Sequence, residues 1–177
     1  MVRLGQEQVN DYEHLIEQQI PRLRRYARAL TGERVIADDL VQDTLERAWN
    51  KLHLWRRGSD LRAWLFTIMH NVYVNQLRSR TAHPLVSLDE EDINLPERPA
   101  QTDLLEIRDL DIALRKLSEE QREVLLLIAL EQLSYEEAAR ALGIPIGTVM
   151  SRLSRARDRL RRIMGGPGDS ATLRVIK

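Results

Sequence analysis

The sequence predicts an all-α protein made of two small helical domains joined by a flexible acidic linker, the second ending in a helix-turn-helix. Three observations predict it. Apolar residues recur at helical spacing along almost the whole chain, Ser-x-x-Gln and Ser-x-x-Glu boxes at Ser118 and Ser134 mark helix starts, and the period fails over one Pro-punctuated acidic stretch. The 177 residues carry 43% hydrophobic and 31% charged side chains, an ordinary globular composition. A chain of this length holds one domain or two small ones.

Taken in order, Tyr12, Leu15, Ile16, Ile20, Leu23, Ala27 and Leu30 form a first apolar stripe, kinked or restarted at Pro21 and closed by Thr31-Gly32. A second stripe, Val41, Leu45, Ala48, Trp49 and Leu52, starts near Asp38. His53 to Asp60 loses the period and reads as a loop. A third helix carries Leu61, Leu65, Ile68 and Val72, closing a domain over residues 1–80.

Residues 81–102 contain Pro84, Pro96, Pro99 and the run Asp89-Glu90-Glu91-Asp92 with little to bury, so they read as a linker. It is either a solvated tether or an acidic strap for a basic groove. A second domain, 103–164, begins with Leu104, Ile107, Leu110, Leu114 and Leu117. Its leucine-rich middle helix is expected over 119–131, the next over 135–142 with Gly143 as a left-handed cap, and the last over 146–164. Residues 165–177 read as a flexible tail in which Thr172 to Ile176 could form an unpaired strand.

The chain has 27 basic and 27 acidic residues, but they are segregated. Net charge is +3 over 1–80, −7 over 81–111, −2 over 112–145 and +6 over 146–177. A chain that meets a polyanion at one end while keeping its total field near zero has this pattern. The absence of Cys removes disulfides, thiolate zinc sites and cysteine nucleophiles. No stretch approaches the roughly 18 apolar residues of a membrane span, and Met1 to Asn10 lacks an apolar signal core. A cytoplasmic protein without membrane insertion is therefore expected.

The helix–Gly143–helix unit carries the strongest chemical signal. Ala138, Ala139 and Leu142 before the glycine, with Val149 and Leu153 after it, have the sizes and spacing of a helix-turn-helix. The last helix has an apolar face, Val149, Leu153, Ala156, Leu160 and Ile163. Thr148, Ser151, Arg152, Arg155, Arg159 and Arg162 form another, suited to the major groove. An arginine-rich solvated face is the plain alternative.

In the first domain Asp39, Gln42, Asp43 and Glu46 share one helix face. Carboxylates so placed could chelate a hard cation, dock a basic protein surface or stand in water. No second carboxylate cluster or His pair answers them, so no metal or other cofactor is expected. On the third helix Thr67, Asn71, Asn75 and Arg78 lie opposite the leucines, near Trp55, Trp64, Phe66 and Tyr73. Amides, an arginine and aromatic rings suit single-stranded DNA, although Trp64 and Phe66 read better as core. His14, His53, His70 and His83 show no ligand spacing.

Taken together these segments resemble the bacterial sigma factors of the extracytoplasmic-function group. The resemblance rests on Ala37-Asp38-Asp39-Leu40-Val41-Gln42-Asp43-Thr44-Leu45, Arg62-Ala63-Trp64-Leu65-Phe66-Thr67-Ile68 with Asn71, Leu117-Ser118-Glu119-Glu120-Gln121-Arg122, Ser134-Tyr135-Glu136-Glu137-Ala138-Ala139, Gly147-Thr148-Val149 and Ser151-Arg152. It runs in order from Tyr12 to Ile163. It implies a non-enzymatic initiation factor, with sigma region 2 before the linker and region 4 after it.

By the same resemblance Asp39, Gln42, Asp43 and Glu46 dock on the clamp helices of the largest subunit of core RNA polymerase, and region 4 meets the flap of the second-largest subunit. The loop Leu54 to Asp60, with Trp55 and Arg56, captures a flipped base of the minus-ten element. Asn71, Asn75 and Arg78 contact that element, and Thr148, Ser151, Arg152 and Arg155 read the minus-thirty-five element. Met150 departs from a basic residue common in the group. An anti-sigma factor is an expected partner beside polymerase and promoter DNA. A stand-alone helix-turn-helix regulator and a metal-dependent nuclease are the competing readings; the first lacks an oligomerisation seam and the second a completed site.

Overall fold

The computed structural model describes residues 6–56, 58–82 and 101–165. Eight α-helices follow one another among them: α1 Gln6–Glu17, α2 Ile20–Thr31, α3 Arg34–Asn50, α4 Leu61–Ala82, α5 Gln101–Arg115, α6 Glu119–Leu125, α7 Tyr135–Leu142 and α8 Ile146–Met164. A 3-10 turn, Leu52–Leu54, follows α3, and a π-helical turn, Leu126–Leu130, continues α6. No strand occurs among the described residues.

Local chemistry sets most boundaries. Pro21 sits in the first turn of α2, where its missing N–H costs nothing, so the first stripe restarts there instead of bending. Gly32 ends α2 in the left-handed region, φ 75°, with its N–H returned to the Arg28 carbonyl. Helix α3 begins at Arg34, four residues before the expected start near Asp38, because Glu33 is already extended and the next turn is continuous. The stretch expected as linker, 81–102, is helical at both ends, to Ala82 and from Gln101. Residues 83–100 and the strand imagined at Thr172 to Ile176 lie outside the described residues.

The two capping boxes differ. Ser134 and Glu137 exchange both bonds, Glu137 N–H to Ser134 Oγ at 3.1 Å and Ser134 N–H to Glu137 Oε2 at 2.7 Å. Ser118 accepts from the Gln121 N–H at 3.4 Å, but Gln121 Oε1 is buried without a partner, so that box is half made.

The helix expected over 119–131 changes type within itself. Glu131 N–H bonds the Leu126 carbonyl, five residues back, at 3.0 Å, which widens the last turn. Gln132 then takes φ 56°, the one positive φ of a non-glycine residue among those described. The extra residue turns Glu131 inward, and its side chain is fully buried.

Helix α3 packs on α2 and α4 in the N-terminal half, and α8 on α5, α6 and α7 in the C-terminal half. The two halves are not separate: α4 packs along α7, and α2 packs on α6 and the π turn. Leu23, Tyr26, Leu40, Leu65, Phe66 and Val72 on one side, and Leu114, Val124, Leu127, Val149 and Leu153 on the other, form one continuous core.

Gly143 closes α7 at φ 63° with open space around its Cα. Gly143→Ala is expected to lower stability by about 1 kcal/mol, purely through the left-handed conformation. Gly143→Asn should cost less, and urea unfolding of the two variants makes the comparison.

Candidate functional site

Helix α3 buries Ala37, Leu40, Val41, Thr44 and Ala48 against α2 and α4 and turns its other side outward. Asp39, Gln42 and Glu46 are exposed on that side. Asp43 is half-buried and accepts a 2.9 Å bond from Gln76 Nε2, so it also ties α3 to α4. Two apolar side chains extend the same face, Val35 (72% exposed) and Trp49 (44%). Residues 35, 39, 42, 46 and 49 alternate steps of four and three, the spacing at which one helix presents a narrow seam to another. The sequence reading missed Val35 and spent Trp49 on the core; the four-three spacing was the signal. No group of three or more metal-ligating side chains occurs among the described residues.

The loop before α4 is built on Trp55. Its ring meets Tyr12 edge-on at 5.7 Å and Trp64 at 6.5 Å, so α1, the loop and α4 are held together through it. The outward apolar side chain in this loop is Leu54, 66% exposed, with Arg56 exposed nearby. Asp60 caps α4, Oδ1 accepting from the N–H groups of Arg62 at 2.8 Å and Ala63 at 3.2 Å. Burial pushes the Asp60 carboxyl up, but the Ala63 N–H, the Arg62 charge, a hydrogen bond with Glu137 and the Arg62 N–H outweigh it. The net effect holds Asp60 below the ordinary value of 3.8.

Asn71 and Asn75 are exposed along α4, Asn71 donating to the Thr67 carbonyl at 2.9 Å, and Arg78 is exposed one turn on. Phe66 is core, 5.0 Å from Tyr26, and Trp64 is half-buried, as the apolar reading expects. His70 is not an ordinary surface histidine. Its Nδ1 lies 2.7 Å from Glu123 Oε1 of α6, a long-range pair that no spacing rule could reveal.

In the helix-turn-helix, Val149, Leu153, Ala156 and Leu160 bury one face of α8, with Ile163 half-buried. Thr148 and Ser151 are half-buried near its N-terminus, where Ser151 Oγ donates to the Thr148 carbonyl at 3.1 Å. Arg155 is exposed, as are Met150 and Ile146. Arg152 differs from the other candidates: it is 23% exposed and paired with Glu120 at 3.0 Å. Reading a base edge would require it to leave that carboxylate.

The family models that match are the Sigma2 domain of PhyR over residues 16–70 and Sigma-70 region 4 over 107–160. The ECF RNA polymerase sigma factor EcfG of Rhodopseudomonas palustris is 39% identical over 145 residues, 82% of this chain and 80% of the relative. This chain belongs to the ECF sigma factors. The sigma factor YlaC of Bacillus subtilis is 31% identical over 86% of this chain and 91% of its own. Among solved structures, the sigma factor RpoE of Bartonella quintana, in complex with the anti-sigma factor NepR, has a TM-score of 0.75 at 40% identity and covers 86% of this chain and 96% of that one. CnrH, in complex with the cytosolic domain of CnrY, has a TM-score of 0.61 at 29% identity, covering 84% of each.

An ECF sigma factor is a transcription initiation factor, a family not known for catalysis. No helix among the described residues is long and apolar enough to cross a membrane.

Because the Asp60 carboxyl is held low, its ionised form contributes stability that is complete above about pH 3.8 and is lost as pH falls through the folded-state value. Asp60→Ala is therefore expected to cost about 1 kcal/mol near neutrality. Urea unfolding at a series of lower pH values should show the gap to the native sequence narrowing below about pH 4.

Proposed function

We propose that this sigma factor joins core RNA polymerase through the outer face of α3, and directs it to promoters with the minus-ten element read by the α4 side and the minus-thirty-five element by α8. The exposed seam Val35, Asp39, Gln42, Glu46 and Trp49 carries the reading. It is acidic in the middle and apolar at both ends, and it has the spacing that packs on another helix. That fits the helical clamp of the polymerase largest subunit, while region 4 meets the flap of the second-largest. Residues 1–80 are assigned to region 2, 103–164 to region 4, 81–102 to the linker and 165–177 to the tail.

On the minus-ten side the assigned residues are Trp55, Arg56, Asn71, Asn75 and Arg78. Trp55 acts by holding the loop, since its ring is engaged by Tyr12 and Trp64, and Leu54 is the side chain free to meet a flipped base. On the minus-thirty-five side, Thr148, Ser151 and Arg155 lie at or near the N-terminal half of α8, and Arg152 joins them on release from Glu120. The exposed Met150 offers methyl contacts where a charge would offer a phosphate bond. Supporting regulation by an anti-sigma factor is the Bartonella relative, described in complex with one. The protein works in the cytoplasm, where polymerase and promoter are.

Asp39→Arg places a cation in the middle of the acidic seam without touching the core. It is expected to weaken binding to core polymerase at least tenfold in a fluorescence titration, with an unchanged thermal melt. Unchanged affinity would remove α3 as the docking face.

Arg155→Ala is expected to lower promoter use by about 1–3 kcal/mol if its contact is bidentate to a base. Run-off transcription on promoters varied in the upstream element reads it. Equal loss on every upstream sequence would make Arg155 a phosphate contact instead.

A further inference from the structure

Among the arginines of α8, Arg152 is the one whose charge is taken up by a different helix. Its Nη2 lies 3.0 Å from Oε2 of Glu120, and its side chain is 23% exposed where that of Glu120 is 65% exposed. Thr148, Arg152, Arg155 and Arg159 follow one another at steps of four, three and four, so they share one side of α8. Arg155 and Arg159 are exposed there, with no carboxylate partner among the described residues. Along this stripe two guanidinium groups stand free, and the one between Thr148 and Arg155 is withdrawn.

The partner is placed so that it holds Arg152 without depending on it. Glu120 lies in the first turn of α6, just after the Ser118 cap, and α6 packs along α8. A carboxylate at a helix start is favoured by the unpaired N–H groups and by the helix dipole, so Glu120 keeps its charge with or without a cation. Its exposed side chain returns to water when Arg152 leaves. The Arg152 stem stays packed while the guanidinium swings on it to another acceptor, and neither helix has to move.

Magnitudes decide which acceptor wins. An ion pair with one partner open to water contributes at most about fivefold to an equilibrium constant. A bidentate contact of arginine with O6 and N7 of guanine discriminates against other bases by about five- to 150-fold. A guanine in reach of Arg152 therefore draws it from Glu120, and its preference is reduced by the strength of the pair. Any other base leaves the pair intact. The paired form adds the same weight to every sequence, so the competition dilutes the difference between guanine and the rest.

We propose that Glu120 is a specificity-determining residue of this sigma factor. By competing with DNA for the Arg152 guanidinium, it discounts a base contact of α8 and widens the range of upstream sequences that the protein accepts. The proposal rests on the assignment of α8 to the minus-thirty-five element above. Glu120 itself touches no base; it acts through Arg152 alone.

The test is run-off transcription with core polymerase and the full chain, on promoters in which each upstream base pair is changed in turn. The native sequence should prefer guanine at one position, and Arg152→Ala should abolish that preference. Glu120→Gln keeps the side-chain length and the helix propensity but removes the competing charge. It should raise the preference at that position by about three- to fivefold, leave the other positions as they were, and leave the thermal melt unchanged. Arg152→Lys keeps a cation opposite Glu120 without the planar fork, so it should melt like the native sequence and yet lose the preference.

The double variant Glu120→Gln with Arg152→Ala separates the competition from simple removal of a negative charge near DNA. In that background Glu120→Gln should leave every upstream preference unchanged. A preference that stays the same or falls in Glu120→Gln would overturn the proposal. So would a gain equal on every upstream sequence, or a rise in preference that persists without Arg152. Arg155→Ala distinguishes the failure of the competition from that of the reading beneath it. If only Arg152→Ala leaves all upstream preferences in place, the competition fails; if Arg155→Ala does so too, the assignment of α8 fails and the competition with it.

Discussion

The pairing of arginines with the helix ends of the opposite half is the interaction on which the arrangement of this sigma factor depends. Four guanidinium groups, Arg25, Arg62, Arg115 and Arg122, satisfy carbonyls that the helices cannot satisfy themselves. Each bond crosses the seam, so the backbone of one half is completed by side chains of the other. The apolar core then runs through, with Phe66 against Tyr26 and Tyr26 near Glu123 and Glu131. Burial, and then the charges of Glu123, Tyr73 and Glu131, push the Tyr26 hydroxyl well above its ordinary value. A seam made this way is specific in register, because each directional bond needs its own carbonyl, while the apolar core beneath it supplies the burial.

The packing leaves most of the proposed interaction faces free. The α3 seam, Asn71 and Asn75 on α4 and Arg155 on α8 all remain exposed while α4 packs on α7 and α2 on α6 and the π turn. On α8, by contrast, Thr148 and Ser151 are half-buried and Arg152 is held by Glu120.

Local and distant constraints divide the labour inside the second half. Ser134 with Glu137 and Gly143 fix where α7 begins and ends, and Val149 with Leu153 fix which side of α8 is inward, all within about twenty residues of sequence. The π turn is different. Leu126 to Leu130 has no sequence feature that forbids an ordinary helix, and the widened turn serves to place Glu131 under Arg25, a residue 106 positions away.

What the sequence determined by itself is the approximate place of most helices, the break at Pro21, the ends at Gly32 and Gly143, the box at Ser134 and the helix-turn-helix, because each follows from side chains within a few residues of one another. The acidic face of α3 was legible for the same reason, although Val35 and Trp49, which complete it, were visible only as spacing. Only the tertiary structure decided the partners of Arg25, Arg62, Arg122, His70 and Glu131, the engagement of the Trp55 ring and the capture of Arg152 by Glu120. Those depend on which helix ends meet in space. Composition and periodicity say which side of a helix turns inward, and carry no information about which distant group will be waiting there.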